Sequence, residues 1–361
     1  MTAPPLAADT DRLPAQGPVL DDAGRRRVEQ LLAGPVVSLH DHPVRLPDPL
    51  TPESWQQHHL SNSDVLGVAG LAGSALDVVF ASALADPSLT RLLDWAARIG
   101  PRDDARVQLR GGWPTILDGS TTVLLALEDL DCVGEDPGVV DVLLAAGFRS
   151  AGLTYNAGNA LGGGLAQRVD PGLTRLGAEV LVRMQDIGMV VDLAHVGDRT
   201  SIEAAKRSTR PVVVSHAGSR TLWPSARMKP DDVLRAVAAT GGLIGVEAAP
   251  GSTRVEGRPG HDLAAVMAHV EHIAALVGVE HVALGPDTFF GDHAGLYEAA
   301  GWSPMPVAGR QLPVPDHVPG MENPAEAARH AAGWLVAAGW SDADGAAVLG
   351  GNAVRVLGEL L

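Results

Sequence analysis

Seven short segments of this chain are apolar almost to their ends instead of alternating: PVVSLHDHP (35–43), TTVLLALED (121–129), RSAGLTYN (149–156), MVVDLAHV (189–196), PVVVSHA (211–217), GLIGVEA (242–248) and HVALGPD (281–287). Runs of this kind read as strands buried on both faces, as in a parallel sheet covered by helices. VLGVAGLAG (65–73) is the less clear candidate for an eighth. Between the runs lie segments with helical spacing. PGLTRLGAEVLVRMQDIG ends in Gly188, DRTSIEAAKRS opens on capping residues, and KPDDVLRAVAATGG carries acids in its first turn. Strand–helix alternation repeated about eight times favours a closed (β/α) barrel, with an open doubly wound sheet as the competitor.

A chain of 361 residues, 46% apolar, can bury one barrel core of this size, and no linker divides it. The expected organisation is a flexible N-terminal arm over 1–20 and a single barrel domain over 21–361. The Pro- and Gly-rich stretch 289–324 is expected to be a long loop, and the segment from Gly339 a capped helix interrupted by glycine. A formal charge of −16 argues against nucleic acid and gives no polybasic handle for a membrane surface. The N-terminus lacks a basic start followed by an apolar core, so it does not read as a secretory signal. Cys132 is the single cysteine, which excludes an intramolecular disulfide and fits a reducing compartment. The expectation is an acidic cytoplasmic protein in which Cys132 is a packing residue.

Polar residues recur at the carboxyl ends of the runs: His40 and His42, Glu128, Tyr155 and Asn156, His195, His216, and Asp287. In a (β/α) barrel those ends surround one pocket. Residues i and i+2 of a strand share a face, so His40 and His42 can reach one ion. Asp41 then points away, bonded to a nearby backbone N–H. Five protein ligands exceed what one catalytic zinc takes, so two ions are expected. His40, His42 and Glu128 would hold one, and His195, His216 and Glu128 the other. Such ions, roughly 3.5–4 Å apart, can share a hydroxide and polarise a carbonyl oxygen. Nitrogen-rich ligation favours zinc. Asp287, in LGPD, suits proton transfer between water and leaving amine. His269 and His272, one helical turn apart, are expected on a solvated helix face, the other histidines show no ligand spacing, and LGGGLAQ (161–167) is expected at a flexible rim of the pocket.

SLHDHPVRLP, LALED, LTYN, DLAHV, VVVSHAGSRTLWPSARMKPDDVL, HVALGPDTF and GNAVRVL occur in this order. Together they resemble the membrane dipeptidase (renal dipeptidase) family of amidohydrolase-like metallohydrolases, from about residue 30 onward. The resemblance implies a distorted (β/α)8 barrel, two zinc ions and hydrolysis of dipeptides, often with a C-terminal D-residue. It places His40, Glu128, His195 and His216 among metal ligands and Asp287 at the acid–base position. It also gives Arg227, eleven residues after His216, the substrate carboxylate to grip, where a guanidinium can donate two parallel hydrogen bonds. A homodimer is suggested by the resemblance alone. Two positions depart from the family pattern: His42 stands where the family has Asp, and Tyr155 where it has His. Tyr155 can still donate to an oxyanion, with Asn156 beside it as a further substrate contact.

Three readings stay open on these residues. The first is a dipeptidase whose bridging hydroxide attacks the peptide carbonyl. The second is a binuclear hydrolase of a non-peptide amide, lactam or lactone. The third is a barrel retained as a binding scaffold.

Overall fold

The computed structural model describes residues 4–9, 17–62, 64–84, 88–100, 106–114, 117, 119–307, 309–313 and 317–361. The apolar runs become β1 (Val37–Arg45), β3 (Thr121–Leu127), β4 (Phe148–Gly152), β5 (Val190–Asp192), β6 (Val213–Ala217), β7 (Leu243–Val246) and β8 (Val282–Leu284). The remaining barrel strand, β2, is Val78–Ala83, and a short strand Val107–Leu109 pairs with the start of β3 outside the barrel order. Neighbours pair in parallel in chain order, and β8 returns to β1 through Leu284 and Ser38. The sheet is therefore a closed (β/α)8 barrel.

The segment 65–73, expected as a strand, contains the helix Val68–Gly73 instead. Its leucine, alanines and glycines carry little β preference, whereas the VVF of β2 is β-branched and aromatic. The stretch 289–324 is not all loop. Phe289–Phe290 forms a short strand beside the end of β1, and His293–Ala299 is a helix capped by Asp292, whose Oδ1 accepts from Gly295 N at 2.9 Å. The N-terminal arm is tied down where it is described. Ala7 N donates to Leu46 O (2.8 Å) and Asp48 N to Pro5 O (2.9 Å), so the arm pairs its backbone with the end of β1. Residues 1–3 and 10–16 of that arm lie outside the described residues. Among those described, no helix is long and apolar enough to cross a membrane.

Inward-facing side chains form layers, and these layers position the site. The lower levels hold Val37, Leu39, Val78, Phe80, Leu124, Ala126, Val190, Val213, Leu243 and Ala283, packed on Ala353, Val356, Leu357 and Leu360. Those last four belong to the C-terminal helix Asn352–Leu360, which closes the bottom of the barrel. Counting upward by twos from the lowest layer leads to small residues and then to charge: Leu124, Ala126, Glu128; Leu243, Gly245, Glu247; Ala283, Gly285, Asp287. The middle glycines are obligatory, because a Cβ at Gly245 or Gly285 would stand 1.9 or 2.0 Å from Ser215 O.

Two strands break this parity. On β1 the register shifts between Ser38 and Asp41, and on β6 between Val214 and Ala217. A bulge re-aims the side chains that follow it. It lets Leu39 face the lower layer while His40 and His42 face the upper one, and brings His216 inward after inward Val213. Asp41 is fully buried, as expected for a structural residue. It accepts from Ser38 Oγ (2.6 Å), Thr288 N (3.0 Å) and Thr288 Oγ1 (2.9 Å), clamping β1 to the segment after β8.

The helix Leu263–Val277 does not present His269 to solvent as expected. His269 is fully buried: its Nδ1 accepts from Ser219 N (2.8 Å) and its Nε2 donates to Arg254 O (2.9 Å). A second proton on the ring would face an N–H. Burial pushes its pKa down to about 4. Because the folded value lies below the unfolded one, stability is complete above about pH 6.5 and falls as the pH drops toward 4. That shift corresponds to on the order of 3 kcal/mol. In urea titrations His269→Gln should flatten the decline across this window. A second prediction concerns close approach: Gly285→Ala should lower stability by about 1–3 kcal/mol through overpacking against Ser215, read as a fall in the denaturation midpoint.

Candidate metal centre and pocket

Imidazole and carboxylate groups from five strand ends meet at the upper rim of the barrel. Glu128 lies among them, 7% exposed, with its two oxygens divided between two groups of partners. Oε1 is 3.3 Å from His42 Nε2, while Oε2 is 3.0 Å from His195 Nε2 and 3.9 Å from His216 Nε2. His40 Nε2 and His42 Nε2 stand 3.4 Å apart, and His195 Nε2 and His216 Nε2 3.0 Å apart. Asp287 Oδ1 reaches both members of the first pair, at 3.5 Å from His40 and 3.3 Å from His42. The structure thus gathers all five expected ligands at one rim but divides them differently from the expectation: His40 and His42 group with Asp287, Glu128 groups with His195 and His216, and on the first side Glu128 contacts His42 and not His40.

The hydrogen bonds behind the rings decide which nitrogen is free. His42 Nδ1 donates to Ser82 O (3.1 Å) and His195 Nδ1 to Asn156 Oδ1 (2.8 Å). His216 Nδ1 donates to Ser215 Oγ (2.7 Å), whose own hydroxyl goes to Asp192. With Nδ1 carrying one proton, His195 and His216 turn an Nε2 lone pair into the cluster, and His42 does so once its Nε2 proton gives way to a cation. In the His195–His216 contact lone pair meets lone pair, an arrangement favourable only with a cation between them. Ligand atoms around a tetrahedral ion with bonds of about 2.0–2.1 Å lie about 3.3 Å apart. Most spacings within the two groups, 3.0–3.5 Å, match that requirement, and the His216–Glu128 distance of 3.9 Å is the one that exceeds it. The residues therefore fit divalent metal ions held by nitrogen and oxygen.

Charge in the metal-free cluster tells the same story. Burial would lower the His42 pKa, but contact with Asp287 and Glu128 outweighs it and carries the ring up to about 10. Burial also opposes ionisation of Glu128 and Asp287, yet the surrounding imidazoles hold both well below the usual carboxylate range. His195, buried and near the Arg227 guanidinium, falls to about 4. Two carboxylates seek positive charge here, and divalent cations supply it.

Asp287 occupies an unusual backbone position. Its φ is +59°, a region that Asp tolerates better than most side chains, and its N–H donates to His40 O (3.1 Å). Tyr155 is stacked on His195 with ring centroids 4.2 Å apart. Burial and the nearby Glu128 and Asp287 charges push its pKa well above the ordinary phenol value. Asn156, expected as a substrate contact, spends its side-chain oxygen on His195 and thereby orients a candidate ligand. The glycine run 161–167 is not a flexible rim. Leu165 N donates to His195 O (3.1 Å), and a Cβ at Gly164 would lie 2.1 Å from Tyr155 O, so this backbone buttresses His195. Cys132 packs against the core, and burial raises its thiol to about 11, in keeping with a packing role.

A cavity of about 480 Å³ opens above the cluster, lined by His42, Glu128, Tyr155, Arg227, Glu247 and Asp287 on its floor. His293, Tyr297 and Trp302 belong to its wall. Glu247 and Asp192 are the residues that sequence reasoning missed. Glu247 is fully buried and holds Arg227 Nη2, while Arg227 Nη2 also donates to His216 O (3.1 Å). The signal for Glu247 was present in the parity of Leu243, Gly245 and Glu247. Chelator competition tests the ligand assignment: Glu128→Ala should remove at least one bound ion per chain. Asn156→Ala should weaken metal affinity about 10–100-fold, the usual cost of losing a partner behind a ligating histidine.

A family model for membrane dipeptidases (peptidase family M19) matches residues 114–302, just over half of the chain. An uncharacterized dipeptidase of Schizosaccharomyces pombe is 33% identical over 180 residues, 47% of this chain and 42% of its own length. The dipeptidase aclJ of Aspergillus oryzae is 30% identical over 172 residues, 47% of this chain and 40% of its own. The chain spans about half the length of the curated relatives it matches. Among solved structures, an amidohydrolase from Pseudomonas aeruginosa superposes with a TM-score of 0.74 at 20% identity, covering 92% of this chain and 98% of that one. A metallopeptidase from Rhodobacter sphaeroides, liganded with a phosphinate mimic of the dipeptide L-Ala-D-Ala, gives 0.66 at 15%, covering 91% and 99%. At such identities these likenesses speak for the fold. With the family model covering the strand ends from Glu128 to Asp287, the chain belongs to the membrane dipeptidase family.

Proposed function

We propose that this chain is a zinc-dependent hydrolase that cleaves the amide bond of a dipeptide or a closely related small amide, with two ions held across Glu128. The division of the Glu128 oxygens between the His42 side and the His195–His216 side is the observation that carries this reading. An imidazole-rich donor set favours zinc over magnesium or calcium. A pair of such ions supplies Lewis acidity toward a carbonyl oxygen and lowers the pKa of water.

The chain's own residues provide the remaining chemistry. The cavity of about 480 Å³ admits a ligand of dipeptide size. Asp287, at the floor beside His40 and His42, is placed to take a proton from the attacking water and return it to the leaving amine. The Tyr155 phenol, kept protonated by its surroundings, donates a hydrogen bond to the carbonyl oxygen as negative charge grows there. Stacking on His195 fixes the plane of its ring. Arg227 faces the part of the substrate beyond the reacting bond. The L-Ala-D-Ala mimic on the Rhodobacter sphaeroides metallopeptidase supports extending the reading to a C-terminal D-residue.

The test is a panel of L,L and L,D dipeptides, with and without blocked termini, offered to the zinc-loaded protein. Turnover should depend on metal, fall about 10²–10⁴-fold in Asp287→Asn, and fall about 10²-fold in Tyr155→Phe. No hydrolysis anywhere on the panel at full zinc occupancy would remove the assignment.

A further inference from the structure

The loop after β3 sets another carboxylate beside the metal cluster. Asp129 follows Glu128 directly, is half-buried, and lines the same cavity. Among the described residues, neither the His40–His42 group nor the His195–His216 group includes it. Its Oδ1 accepts from Asn159 Nδ2 (2.7 Å) and Asp131 N (3.0 Å), and the backbone amide of Tyr155 adds to these. All three donors are neutral. They fix the side chain without cancelling its charge, and a carboxylate with about four lone-pair sites has room for a further donor. Asp131 is the charged group that acts on it, and it has the same sign. Burial raises the Asp129 carboxyl to about 6, which leaves it ionised at neutral pH. The other charges around the cavity are already engaged: His42, Glu128, His195 and Asp287 with one another, and Arg227 with Glu247.

Position decides what Asp129 can meet. The eight barrel strands follow one another round a closed ring, so β3 and β7 stand four steps apart in either direction. Asp129 comes just after β3, and Arg227 is held by Glu247, the residue next after β7. An anionic wall and a cationic one therefore face each other across the barrel mouth, with the metal cluster between them. At neutral pH a dipeptide has matching ends, an ammonium on its first residue and a carboxylate on its second. With the reacting carbonyl at the cluster and the carboxylate toward Arg227, the ammonium points to the β3 side. The reverse orientation sets like charge against like at both ends.

We propose that Asp129 is a specificity residue that receives the free ammonium group of the substrate's first residue, restricting the reaction to dipeptides with an unblocked amino end. This rests on the metal-hydrolase reading and narrows its substrate class.

Two phosphinic isosteres of Ala-Ala test it, one with the amine and one with hydrogen in its place. They share the metal-binding group and the carboxylate and differ only at the end assigned to Asp129. Affinities are measured by calorimetry at pH 7 on the zinc-loaded wild type, Asp129→Asn and Asp129→Ala, at equal zinc content. Asp129→Asn keeps an acceptor for Asn159 and Asp131 and removes the charge. The wild type should bind the amine-bearing compound at least tenfold more tightly than its partner. Both variants should lose at least tenfold on the amine-bearing compound while the amine-free one stays within twofold. A wild-type preference below twofold, unchanged affinities in both variants, or equal losses on the two compounds overturns the assignment of Asp129 and leaves the hydrolase reading intact. Equal losses would mark a residue that only shapes its loop. Failure of both compounds to bind the zinc-loaded wild type overturns the hydrolase reading and this inference with it.

Discussion

One carboxylate organises the upper half of this barrel. Glu128 gives one oxygen to the His42 side and the other to the His195–His216 pair, so two nitrogen clusters are held at a common hinge. Without cations the arrangement is electrostatically unfinished. Imidazole lone pairs face one another, and two buried carboxylates draw a proton onto His42 instead. Placing such groups out of water is expensive unless opposite charge compensates them. The barrel accepts that cost at its rim because its lower layers are apolar and closely packed, with the C-terminal helix sealing the base.

The second ring of contacts explains why the cluster holds its shape. Ser82 O, Asn156 and the Ser215–Asp192 relay each take the Nδ1 proton of one histidine, which leaves its Nε2 free to bind. Ser215 in turn sits where two glycines, Gly245 and Gly285, allow its carbonyl to approach the neighbouring strands. Asp41 performs the corresponding service for β1, tying the bulged strand to Thr288 one residue after Asp287. Metal affinity, backbone strain at Asp287 and barrel packing are thus parts of one mechanical unit. A change at a middle-layer glycine is expected to reach the ligands through Ser215.

Much of this was legible in the sequence because parallel strands write themselves as apolar runs and polar residues at their ends stand out. His40, His42, Glu128, His195, His216 and Asp287 were found that way, and i, i+2 pleating separated Asp41 from its neighbours. What escaped had physical reasons. β2 was missed because Val78–Ala83 ends in no charged residue, so nothing drew the eye from the Gly- and Ala-rich helix before it. The bulges on β1 and β6 are cooperative features of pairing and leave no local signature. Glu247 was readable from the parity of its own strand but was passed over beside the histidines. Its bond to Arg227 joins residues twenty apart in sequence, a contact that only tertiary structure creates. The glycine run at 161–167 looked mobile because glycine serves both looseness and close approach; here it serves the second.

The central claim is that Glu128 is shared between two ions. Anomalous diffraction at the zinc edge from zinc-loaded crystals addresses it directly. Two peaks about 3.5–4 Å apart, one against Glu128 Oε1 and His42 and the other against Oε2, His195 and His216, are the predicted result. A single peak, or a pair in which Glu128 touches neither ion, would contradict the account.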